Sequence, residues 1–89
     1  MIRRDVDIVN RLGLHARAAA KLVQVASGFQ ADVILEKDGQ EADAKSILNV
    51  LLLAAAQGSR VGVTCDGDDE QQALEAVVDL IDSRFGEEA

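Results

Sequence analysis

At 89 residues, with 48% hydrophobic and 28% charged side chains, the chain has the make-up of one small globular domain and leaves little room for the machinery of a multi-step enzyme. A net charge of −7 excludes general nucleic-acid binding, which draws its affinity from neutralising phosphates with Lys and Arg. Cys65 stands alone, so it cannot form an internal disulfide and is expected to be a buried structural thiol, and the longest apolar run, Val50 to Ala56, is too short to span a bilayer.

Ile2, Val6 and Ile8 alternate with Arg3, Asp5 and Asp7, the period of a half-buried first strand. Asn10 to Lys21 then joins strand to helix. Gly13 supplies the backbone freedom for a sharp reversal, and His15, the only histidine, stands just before a run of good helix formers. With His15 as the N-cap, Ala16, Arg17 and Ala18 form the first helical turn, whose amide donors have no partner inside the helix. Those amides, the positive helix end and Arg17 make an anion pocket around the ring. The positive end disfavours the imidazolium and so keeps the ring nucleophilic, and Arg17, two places into the helix, can reach back over it.

Ala16, Ala19, Ala20, Val23 and Ala26 fall at helical spacing, and Gly28 is a natural stop. Val33 to Leu35 predicts a second strand, Asp38-Gly39 a tight hairpin, and Gln40 to Ala44 a third strand. Ser46 is expected to cap a second helix that Gly58 closes. Ile47 to Ala56 is apolar nearly all round, so Val50, Leu53 and Ala54 are expected to face the sheet while Leu48 and Leu52 stay exposed. Val61, Val63 and Cys65 alternate as a fourth strand. Asp68 with Gln71 reads as a capping box for a last helix, along which Leu74, Val77, Val78, Ile81 and Phe85 form one apolar stripe. The order βαββαβα predicts an α+β fold, a two-layer sandwich with three helices on one face of a four-stranded sheet.

Charge is unevenly spread along these elements. Residues 1–21 carry five basic and two acidic side chains, whereas residues 66–89 carry one and nine. Basic groups therefore gather near the histidine, and the acidic end reads as a solvated helix. Met1-Ile2-Arg3-Arg4-Asp5 has no apolar run behind it, so no secretory signal is expected and the protein reads as cytoplasmic.

Leu12-Gly13-Leu14-His15-Ala16-Arg17 resembles the phosphorylation-site motif of the HPr family, the histidine-containing phosphocarriers of the bacterial phosphotransferase system, and of its nitrogen-branch paralogue NPr. Ala44-Lys45-Ser46-Ile47 resembles the family's regulatory serine segment, and the similarity covers essentially the whole chain. Ala18 departs from it, standing where many members have proline. The resemblance implies a single HPr-like domain over residues 1–89, an open-faced sandwich with an antiparallel sheet in the order 1-4-2-3. It implies a carrier and no enzyme in its own right: His15 would take a phosphoryl group at Nδ1 from enzyme I and pass it to an EIIA-type domain, with Arg17 and the amides of Ala16, Arg17 and Ala18 holding the phosphate. Ser46 would be a regulatory phosphorylation site served by a kinase/phosphorylase, and Ala20, Leu48, Leu51 and Leu52 would form the docking surface for these partners and for transcriptional regulators. No cofactor, metal, nucleic acid or membrane is implied, and the expected state is a monomer. The Ser46 segment leans towards the sugar or general regulatory branch. A nitrogen-branch carrier, or an adaptor that binds regulators through the Ser46 helix without phosphotransfer, stays open beside it. A small phosphatase of acylphosphatase type lacks its Gly-Arg loop here.

Overall fold

Side-chain alternation along the strands fixes two unlike faces of one sheet. The computed structural model describes residues 1–88. Strands β1 (Ile2–Asp7), β2 (Asp32–Lys37), β3 (Gln40–Asp43) and β4 (Arg60–Asp66) form an antiparallel sheet in the order β1-β4-β2-β3. The register pairs Val6 with Val61, Val33 with Cys65 and Leu35 with both Val63 and Ala42. All of these side chains are buried. Arg3, Asp5, Glu36 and Thr64, one residue out of phase, lie on the open face, where Arg3 bonds both Asp5 and Glu36. Buried Cys65 is the inert thiol its pattern predicted, and desolvation pushes that thiol up.

Three helices cover the other face: α1 (Ala16–Ser27), α2 (Ile47–Leu52) and α3 (Glu70–Asp82). Helix α1 buries Ala18, Ala19, Leu22 and Ala26, and α3 buries Ala73, Leu74, Val77, Val78 and Ile81. The core is aliphatic apart from Phe85 and Cys65. Each fully buried Val, Leu or Ile contributes about 1.5–3 kcal/mol of transfer free energy, the term that holds the helices down. No helix is long and apolar enough to cross a membrane among the described residues.

Three local expectations need correction. Helix α2 spans only six residues; Leu53 caps it, and Ala54 turns the chain with φ +51. The alanine run favours helix by propensity, but its backbone is claimed by the loop after β1. Leu14 N–H donates to the Ala55 carbonyl at 2.9 Å, Gly58 N–H to the Ile8 carbonyl at 2.8 Å, and Ile8 N–H to the Ser59 carbonyl at 2.9 Å. Tertiary hydrogen bonds override propensity here. Ala54 is accordingly exposed, whereas Val50 and Leu53 are buried as expected.

The Asp68–Gln71 capping box does not form. Asp69 is the N-cap residue of α3 and makes no side-chain bond to that helix. Its carboxylate instead accepts from the Gln30 and Ala31 amides at 2.9 and 2.8 Å, pinning the α1–β2 turn, and those bonds hold its carboxyl below the usual range. Finally, α3 stops at Asp82, so Phe85 is not part of its stripe. It reaches the core through a left-handed turn, Arg84–Gly86, in which Arg84, Phe85 and Gly86 have φ of +60, +55 and +78.

Candidate functional site

The loop from Ile8 to His15 is held by hydrogen bonds within itself and to residues 55–59, although Asn10 Oδ1 is buried without a partner among the described residues. Asn10, fully buried, donates through Nδ2 to the Gly13 carbonyl at 2.8 Å, and the Gly13 amide donates back to the Asn10 carbonyl at 3.1 Å. Gly13 has φ +67, and a Cβ there would lie 2.6 Å from the Ala55 carbonyl oxygen. Only glycine fits both the backbone angle and the close approach. Buried Leu14 then anchors the loop against the core.

His15 is therefore delivered to the start of α1 as its N-cap, with extended backbone angles. Its Nδ1 accepts from the Arg17 amide at 3.3 Å, and its carbonyl accepts from the Ala19 amide at 2.8 Å. The opposite nitrogen, Nε2, is bonded to Oε2 of Glu87. A carboxylate only accepts, and a backbone N–H only donates, so the two contacts specify one tautomer: the proton on Nε2, the lone pair on Nδ1. The imidazole is 28% exposed, open enough to meet another molecule and packed enough to hold its orientation.

Glu87 was not legible as a neighbour of the ring. The acidic end read as a solvated helix with the basic groups gathered around the histidine, whereas the structure folds one carboxylate back onto His15 across 72 residues of sequence. Its second oxygen accepts from Asn10 Nδ2 at 3.0 Å. The His15 contact first, and the Asn10 bond after it, hold the Glu87 carboxyl below the usual carboxylate range. The only sequence signal was Phe85-Gly86 just ahead of it, an anchor and a turn past the end of a helix.

Around the ring, the amides of Ala16 and Ala18 belong to a first helical turn and have no intrahelical acceptor. Arg17 is exposed, and its guanidinium makes no ion pair among the described residues. Helix α2 packs beside α1. Leu48 and Leu52 are 66% and 61% exposed, as expected; Ala20 is exposed and Leu51 half-buried. Two further apolar residues, Leu12 and Ile47, are exposed and were not in the expected set. Ser46 caps α2, its Oγ accepting from the Asn49 amide at 3.3 Å and from Asn49 Nδ2 at 3.0 Å. A separate depression of about 360 Å³ lies on the open sheet face, lined by Arg3, Ile34, Thr64 and Asp66 among others, and shares none of these residues.

The chain is thus a small open-faced α+β sandwich with its sheet in the order β1-β4-β2-β3 and its one histidine at the N-terminal end of the first helix. The family model for the PTS HPr component phosphorylation site matches residues 2–83, and the chain belongs to this HPr phosphocarrier family. It is 52% identical to the phosphocarrier protein HPr of Cupriavidus necator over 87 residues, 98% of each chain. It is 42% identical to the phosphocarrier protein NPr of Escherichia coli over 88 residues, again 98% of each. The crystal structure of HPr-C-His from Thermoanaerobacter tengcongensis superposes with a TM-score of 0.96 at 46% identity, covering all of both chains.

Proposed function

We propose that this chain is the phosphoryl carrier of a phosphoenolpyruvate-dependent phosphotransferase chain. His15 takes the group from phospho-enzyme I and passes it to a histidine of an EIIA-type domain. The observation that carries this reading is the placing of His15 at the free end of α1, with Nδ1 towards the Arg17 amide and Nε2 bonded to Glu87.

As Nδ1 attacks phosphorus, the donor's P–N bond breaks and its electron pair stays with the donor ring. The amides of Ala16, Arg17 and Ala18 and the Arg17 guanidinium then face the phosphoryl oxygens, and positioning with electrostatics supplies the assistance such transfers need. The pocket is open and its one cation exposed, which suits a carrier: a phosphate held too tightly could not be released. The protein returns to its starting state only when the acceptor takes the group, so it is a carrier and no catalyst in its own right.

Residues 1–89 act as a single, monomeric, cytoplasmic domain in this reading, with Ala20, Leu48, Leu51, Leu52 and the newly seen Leu12 and Ile47 as the apolar docking rim. Ser46 is the regulatory phosphorylation site for a kinase/phosphorylase, and the same rim serves transcriptional regulators. Its segment favours the sugar-uptake branch over the nitrogen branch. The test is incubation with enzyme I and phosphoenolpyruvate: the protein takes up acid-labile phosphate and His15→Ala, still folded, takes up none. Uptake by the variant, or none by the native chain, overturns the reading.

A further inference from the structure

The helices cover one face of the sheet and leave the other bare, and the bare face carries charge that works against the fold. Along β2, Asp32, Ile34 and Glu36 share that face. The register sets Asp32 directly across from Asp66 on β4, and Glu36 directly across from Glu41 on β3. Like charges facing each other on neighbouring strands are destabilising. Between the two pairs lie half-buried Ile34 and Thr64, themselves register partners, and all six side chains line the depression of about 360 Å³.

Cations already present show what this face accepts. Arg3 lies across the bare backbone of Gly62, where a Cβ would run into its guanidinium, and donates to Asp5 at 3.1 Å and to Glu36 at 2.8 Å. The Met1 amino group stands 3.6 Å from Asp66. Asp32 and Glu41 are exposed and make no ion pair among the described residues.

We propose that the open sheet face is a docking surface for an extended basic segment of a partner protein. Two Lys or Arg side chains, four residues apart, lie over the Asp32–Asp66 and Glu36–Glu41 pairs, with an aliphatic side chain between them over Ile34. The spacing follows from the strand: positions i, i+2 and i+4 of an extended chain point the same way, and four residues cover about 13 Å in β2 and in its guest alike. Charge decides the kind of occupant. Four carboxylates line the depression against one guanidinium and one amino group, so nucleic acid and anionic lipid are repelled, and the same face of a second copy meets its own sign. The depression shares no residue with the apolar rim around His15, so a carrier held by its sheet keeps its ring accessible. The proposal does not rest on the role of His15.

The test titrates the nitrogen-15-labelled full chain, at low salt, with the capped peptide Arg-Ser-Val-Ser-Arg and with its rearrangement Ser-Arg-Arg-Ser-Val, which has the same composition and adjacent arginines. The first peptide should shift amides of β2, β3 and β4 around the depression, bind more tightly than the second, and weaken with added salt. The double variant Asp32→Asn with Glu41→Gln should bind it about fivefold more weakly, the effect of losing two exposed ion pairs. Glu75→Gln with Asp79→Asn, which removes the same charge from the exposed side of α3, should bind it as the native chain does. The sheet-face variant should melt no lower than the native protein, because it removes like-charge neighbours. No shifts at millimolar peptide, shifts scattered over the whole acidic surface, equal binding of the two peptides, or equal weakening by the two double variants overturns the proposal. So does a lower melting temperature of the sheet-face variant, which would assign these acids to the fold. With saturating peptide, phosphate uptake from enzyme I keeps its native rate; slowing would place the peptide on the rim around His15 and also overturns it. Absence of any phosphate uptake defeats the carrier reading alone, and the titration still decides the docking surface.

Discussion

Gly13→Ala tests the joint that presents His15. At φ +67 an L side chain costs about 1–2 kcal/mol, and the added Cβ would sit 2.6 Å from the Ala55 oxygen and 3.0 Å from Ala56 Cα. Both neighbours are backbone and cannot rotate aside. Overpacking of that kind adds about 1–3 kcal/mol, for a total of about 2–5. Gly39→Ala is the control: φ is +82 but nothing lies within 4 Å, so only the angular cost of about 1–2 kcal/mol remains. Unfolding entropy of about 2.1 cal/mol/K per residue makes each kcal/mol worth about 5 °C in a chain of this size. Thermal unfolding by circular dichroism should therefore show a drop of about 10–25 °C for Gly13→Ala against about 5–10 °C for Gly39→Ala. The Leu14–Ala55 bond must open to admit the methyl group, so phosphoryl uptake should fall with stability. Equal melting temperatures for the two variants would refute the close approach and, with it, the account of how the loop is held.

Arg17→Ala should melt like the native protein, since its side chain is exposed, yet lose about 10–100-fold in transfer rate, the worth of a charge-assisted contact of about 1.5–3 kcal/mol; unchanged kinetics remove Arg17 from the mechanism. Ser46→Asp should keep or slightly raise thermal stability, because an anion is favoured at a helix N-terminus, while slowing phosphorylation by enzyme I in a way that added salt partly relieves. Native transfer rates in that variant at low salt would leave Ser46 a helix cap and nothing more. Asp69→Asn probes pH dependence: the native carboxyl is depressed by the Gln30 and Ala31 amides, so its contribution is complete above the ordinary carboxylate range and disappears as pH falls through the depressed value. The variant should be less stable than the native protein at pH 7 and converge with it in acid; a gap that persists undiminished at pH 2 contradicts the assignment.

Much of this architecture was written locally. The period of two in β1 and β4, the Asp38-Gly39 hairpin, and the capping roles of His15 and Ser46 need only neighbouring residues, and each appears where the pattern put it. What escaped the sequence is what depends on distant backbone. Ala54 to Gly58 has helical composition, but its hydrogen bonds go to the loop after β1. The capping box expected of Asp68 and Gln71 is absent, and the neighbouring Asp69 serves a turn 38 residues away. Phe85 keeps the spacing of the α3 stripe yet enters the core by a left-handed turn, and that turn is what brings Glu87 to the ring. No local periodicity encodes a contact between residues 15 and 87.

The nitrogen that bears the phosphate is the most direct measure of the whole account. Nitrogen-15-labelled protein is phosphorylated with enzyme I and phosphoenolpyruvate, and the ring is read by proton–nitrogen correlation with phosphorus coupling. The account predicts phosphate on Nδ1 of His15, the proton retained on Nε2, and no acid-labile phosphate in folded His15→Ala, where the lost cap costs about 1 kcal/mol. Phosphate on Nε2, or acid-labile phosphate in a chain without His15, would contradict it.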